Sequence, residues 1–175
     1  MLNSAFERGE NLKLKAITYR LDPYLWSKYA ISSIDLSKAN WKTIKYLNDN
    51  GDGFGPEIGT LPNDQGGIYL FSIYCPVILG YTEFPAYIGR AQSTQNQNLR
   101  KRCREYLTKF SRNDERPLIT KMIKYWGKYL YLSYFVIEQN VDTIDCEKNL
   151  INSLLLPFND EIPDIEIRQA IKAFP

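Results

Sequence analysis

The stretch GGIYLFSIY, residues 66–74, sets the tightest limit on the fold. Apolar side chains stand at odd and even positions alike, so neither face of a pleated strand there suits water. Such a run reads as a buried central strand, although periodicity alone would also admit a buried helical segment. A second strand, FPAYIGR, follows after an irregular connection containing Pro and Gly. Next comes NLRKRCREYL, where Leu99, Cys103, Tyr106 and Phe110 recur at helical spacing. RPLITKMIKYWG reads as a helix started near Pro117 and stopped at Gly127. KYLYLSYFVIE, aromatic and β-branched, reads as a third strand. VDTIDCEKNLINSLL reads as a closing helix ended by Pro157.

Residues 1–65 have a different character. DPYLWSKYA and LSKANWKTIKYLND read as short amphipathic helices with Asp22 and Ser37 as caps. The Gly-, Pro-, Asn- and Asp-dense stretch 48–67 reads as a flexible linker to a main domain over 66–175. It imitates a calcium loop at Asn48, Asn50, Asp52 and Gly53, but the twelfth position is Gly59 rather than Glu, which rejects that reading.

Composition narrows the chemistry. The 175 residues contain no histidine, so acid–base work falls to Tyr, Lys, a carboxylate or metal-bound water. No apolar run approaches the ~20 residues of a membrane span, and MLNSAFERGENLKLK lacks the apolar core of a signal peptide. Cys75, Cys103 and Cys146, odd in number and far apart, indicate neither a disulfide framework nor a zinc site. A reducing cytoplasm is the expected setting.

Charge is unevenly spread. Residues 100–128 hold ten Lys or Arg against three Asp or Glu, and residues 138–166 hold eight acidic residues against one Lys. The pattern fits an anion-facing surface beside a cation-binding one, or two ordinary solvated faces. Two residues break their helical patterns. Arg102 lies on the shoulder of the Leu99–Cys103–Tyr106 stripe, where it either snorkels or meets an anion. Glu147 falls within an expected inward stripe of Ile144, Ile151, Leu154 and Leu155, a costly place for a carboxylate that is neither paired nor ligating a cation. An ion pair between the two, or a position at the domain rim, would also account for them.

GIY at 67–69 and YIG at 87–89 resemble the paired strand motifs of the GIY-YIG nuclease family, and NLRKRCREYL and CEKNLINSLLLPFN follow in the family's order. The resemblance covers about residues 66–160. It implies an α+β fold: a small, mainly antiparallel three-stranded sheet flanked by helices, with residues 1–65 as a helical appendage. It places the family's tyrosines on Tyr69 and Tyr87, its Arg on Arg102, the next-turn His or Tyr on Tyr106, its metal-binding Glu on Glu147 and its Asn on Asn159.

The activity implied is metal-dependent hydrolysis of DNA phosphodiesters. Glu147 would hold one Mg²⁺ or Mn²⁺, hard ions suited to oxygen ligands, and Arg102 would stabilise charge on non-bridging oxygens. Tyr69 or Tyr87 would activate water. A free phenol ionises near pH ~10, so a base role near neutrality needs roughly 4 kcal/mol of help for the phenolate. Tyr106 and Asn159 would orient groups. Arg90, Arg100, Lys101 and Arg104 would bind backbone phosphates without reading sequence. One such site nicks one strand, so double-strand cleavage implies a homodimer, a partner protein or two events. A ribonuclease on the same scaffold, exposing Tyr129, Tyr131 or Tyr134 to bases, and a binding module without catalysis are the alternatives.

Overall fold

The computed structural model describes residues 4–78 and 80–174. The 66–74 stretch forms β2 (Gly67–Tyr74), between β3 (Glu83–Ala91) and β4 (Leu130–Val136). A further strand, β1 (Lys42–Lys45), pairs with the far side of β4. The fold is therefore α+β with a four-stranded antiparallel sheet in the order β1-β4-β2-β3, not the expected three strands.

The extra strand comes from the segment expected to be helical. Trp41, Ile44 and Leu47 repeat every three residues and imitate a helix, yet the observed pattern buries Ile44 and Tyr46 in the core. Pairing with β4 supplies the backbone hydrogen bonds, and Thr43 and Ser133 add a hydroxyl contact of 2.7 Å across the pair. The expected flexible linker is also ordered. Asn48 accepts hydrogen bonds from the Gly51 and Asp52 amides, Leu47 bridges Phe54, and Leu61 is fully buried. Residues 42–61 thus contribute to the main core rather than hanging outside it.

Helices cover both faces. Around the sheet stand α1 (Ala5–Leu14), α2 (Pro23–Lys28), α3 (Leu99–Ser111), α4 (Pro117–Trp126), α5 (Asn140–Leu154) and α6 (Ile165–Ala173). Tyr69, Phe71 and Ile73 of β2 face α3 and α4 through Cys103, Tyr106, Met122 and Ile123. Ile68 and Leu70 face the other way, toward Leu25 of α2 and Cys146 and Ile151 of α5. This is why β2 is apolar on both sides. Between β2 and β3 the register slips at Phe71/Ser72, and Ala86 and Tyr87 both join the α3-side core. Such a bulge re-aims a side chain, here Tyr87 at the free edge of the sheet. All three cysteines are free thiols, and among the described residues no helix is long and apolar enough to cross a membrane.

Candidate active site

β3 is an edge strand, and the layers on either side of it converge there. α3 arrives on one face with Arg102 and Tyr106, and α5 on the other with Glu147. Between them opens a cleft of about 830 Å³ lined by Tyr87, Arg90, Arg102, Arg116, Glu147 and Asn159, among others.

The motif glycines allow the strands to pack this closely. Tyr69 lies opposite Gly89, and a Cβ at Gly89 would come within 2.6 Å of the Tyr69 hydroxyl. Gly67 has φ +152° and sits against the Phe135 carbonyl, where any side chain would collide. These contacts let Tyr69 lie across the sheet and reach α3. Its hydroxyl meets that of Tyr106 at 2.6 Å, and Tyr106 in turn donates to Tyr87 at 3.1 Å.

The three phenols differ in environment. Tyr69 is completely buried, and desolvation pushes its ionisation well above the ordinary phenol value; Tyr106, also buried, is pushed up for the same reason. Tyr87 alone of the three lines the cleft. Its oxygen accepts from Tyr106 and, at 3.3 Å, from Arg116 Nη2. A phenol oxygen has two acceptor positions. In both contacts it is the acceptor, so its own proton takes part in neither.

Arg102 pairs with Glu105 at 2.7 Å and lies 5.3 Å from the Tyr106 ring centroid. Burial works against its charge, but Tyr69, Tyr106 and Glu105 outweigh that and hold the guanidinium firmly protonated. Glu105 is itself fixed from behind by Gln97 at 2.8 Å.

Glu147 is 14% exposed and is paired with Arg90, not with Arg102. Burial raises its ionisation above the ordinary carboxylate value despite the opposing pull of Arg90 and, more weakly, Arg102. The buried stripe of α5 runs through Thr143, Cys146 and Ile151, with Ile144 and Leu154 only half-buried, so Glu147 stands on its shoulder instead of within it. Asn159 uses both ends of its amide on one residue: Oδ1 accepts from the Ile88 amide at 3.0 Å and Nδ2 donates to the Ile88 carbonyl at 2.8 Å. It fixes the chain leaving α5 to the strand that carries Tyr87.

Of the expected residues, Tyr87, Arg90, Arg102, Glu147 and Asn159 share the cleft, with Tyr69 and Tyr106 sealed beneath. Arg100, Lys101 and Arg104 do not join them. They line a separate groove on the outer face of α3 with Lys109 and Arg112. Arg100 Nε donates to the Leu61 carbonyl at 2.7 Å, and Arg104 lies 4.9 Å from the Phe54 ring centroid. Arg116 and its partner Asp160 are cleft residues that no motif in the sequence signals. Tyr134 is core and Tyr131 stacks on Tyr74 at 4.2 Å, which leaves Tyr129 as the exposed aromatic of that strand region.

The carboxylate chemistry fits a hard cation that keeps much of its water. Among the described residues no group of three or more His, Cys, Asp or Glu is placed to hold a metal, so a cation here would rest on Glu147 and oxygens from outside the chain. Mg²⁺ is commonly held by one or two carboxylates plus substrate phosphate, and Glu147 faces a cleft wide enough for both. Comparison of the chain with protein-family models, curated proteins and solved structures finds no match.

Proposed function

We propose that this chain is a metal-dependent endonuclease that hydrolyses DNA phosphodiester bonds at the β3-edge cleft, on a core of the GIY-YIG type. One observation carries the proposal: a carboxylate, two guanidiniums and a phenol from β3, α3 and α5 line a single open cleft, although they are scattered over residues 87–147. Tyr87 also packs in the core, but core packing gives no reason for three charged groups to meet beside it at the cleft.

Glu147 would hold the cation, and Arg90 would hand over its carboxylate partner as the ion enters. The cation supplies charge neutralisation at the phosphate and at the departing oxygen. Arg102, already oriented by Glu105 and the Tyr106 ring, would hydrogen-bond a non-bridging oxygen as charge grows there. Tyr87 is the better candidate for handling the attacking water, because Tyr69 is shut away from solvent and tied to Tyr106. Tyr106 and Asn159 serve as supports, one for the Tyr87 oxygen and one for its strand. The cationic groove on α3 would follow backbone phosphates beyond the cut.

Supercoiled plasmid and a structured RNA, each incubated with Mg²⁺, Mn²⁺ or chelator, test the proposal. Metal-dependent nicked circles are expected. RNA fragments alone would make it a ribonuclease, and binding without cleavage would leave a nucleic-acid-binding module.

A further inference from the structure

Arg116 is tied into the cleft at three points that differ in how firmly they hold. Its own amide donates to the Glu115 carboxylate at 2.9 Å, its Nε faces the same group at 3.5 Å, and the Glu115 side chain is only 4% exposed. Nη2 donates to the Tyr87 oxygen at 3.3 Å, and the guanidinium lies 5.6 Å from the Tyr87 ring centroid. Nη1 donates to Asp160 at 3.2 Å, and here both side chains are 36% exposed. The inner two contacts fix the plane of the guanidinium. The outer one is a wetted ion pair of the kind that contributes little to stability and exchanges readily.

Arg102 stands at the other phenol of the pair. It lies over the Tyr106 ring, and the Tyr106 and Tyr87 hydroxyls are 3.1 Å apart. Two guanidiniums therefore stand beside the hydroxyl pair, one over the Tyr106 ring and one by the Tyr87 ring, both in the lining of one cleft. A guanidinium offers five donors in a rigid fork and can serve a phenol and a phosphate at once, which a lysine ammonium does less well.

We infer that Arg116 is a positioning residue for Tyr87 and a second phosphate-binding arm, its Nη1 turning from Asp160 to a non-bridging oxygen of the substrate diester. This rests on the nuclease proposal above. Asp160 is then a placeholder that keeps the arm charged and aimed until nucleic acid arrives.

The test has a binding arm and a cleavage arm. In chelator, a short fluorescent DNA duplex titrated with wild-type protein and with R116A is expected to bind the variant about tenfold more weakly. D160N is expected to bind about threefold more tightly, because the competitor is gone. With Mn²⁺ and plasmid, R116A should nick about 100-fold more slowly, and added methylguanidinium should restore part of the rate, which a merely structural arginine would not permit. If R116A melts early, R116K carries the test: a wild-type melting temperature with weakened binding and slowed nicking supports the inference. Wild-type binding by R116A or by a folded R116K overturns it, whether or not the plasmid is cut. Weaker binding by R116A in a protein that never nicks would retire hydrolysis and keep the phosphate arm. No DNA binding by the wild type would remove both.

Discussion

The cleft at the β3 edge and the groove along the outer face of α3 both collect cations, yet they hold them in opposite ways. In the cleft three guanidiniums have a carboxylate partner, Arg90 with Glu147, Arg102 with Glu105 and Arg116 with Asp160, and Arg168 lines it with no ion pair among the described residues. Along α3, Arg100, Lys101, Arg104, Lys109 and Arg112 form no ion pair among the described residues. Paired and half-buried charges are fixed in direction, which is what transition-state stabilisation requires. Of the α3 cations, Arg100 is tied to the Leu61 carbonyl, whereas Lys101, Arg104, Lys109 and Arg112 are exposed, and exposed charges can meet any phosphate, as non-specific affinity requires. Under the proposed nuclease activity, the contrast would separate chemistry from grip within one small protein.

Substitutions can break that separation. The largest effect is expected for Glu147→Gln, with nicking reduced about 10³-fold, equivalent to about 4 kcal/mol, and DNA binding in chelator retained. Arg102→Ala should follow, about 10²- to 10³-fold slower in kcat, measured by single-turnover nicking. The double change Arg100→Ala with Arg104→Ala should act on binding instead. Affinity should drop, the slope of log affinity against log salt should flatten by about 0.9 for each phosphate no longer neutralised, and kcat should stay near wild type. A slower kcat in that double variant would merge the two regions into one site.

The smallest effect is expected outside both regions. Asp164, the cap of α6, is held down to about 2 by its hydrogen bond from Tyr29, then by the Ile167 amide, with Lys28 beside it. Its ionisation is lower in the folded than in the unfolded chain, so its contribution is present above the unfolded value of 3.8 and disappears as pH falls from there toward about 2. Urea melts of the wild type and Asp164→Asn should therefore differ at pH 6 and converge at the acid end.

Much of this was legible in the residues. The double-sided apolar run placed β2 at the centre, and Leu99, Cys103 and Tyr106 gave the buried side of α3. β1 was not legible, because a three-residue apolar repeat looks helical until a partner strand is present to claim it. The partner of Glu147 was not legible either. Arg90 reads as a phosphate contact, and only the alternation of β3 turns it to the α5 side and to Glu147. Arg116 escaped because a residue before a helix-starting proline has many structural uses. Nor does the polar stretch 93–97 signal its anchor, Asn140, which pins Ser93 through both amide and carbonyl.

Asn159 also guards the edge of the sheet. An outermost strand normally offers a row of unsatisfied amides and carbonyls to any extended peptide. At Ile88 both groups are already taken by the Asn159 side chain, and the Ala86 carbonyl is taken by the Phe158 amide. The turn after α5 therefore acts as a stopper against sheet growth on the side that borders the cleft. A variant without that amide would expose a docking rail for foreign strands, and the cleft margin would become the place where copies of the protein begin to stick together.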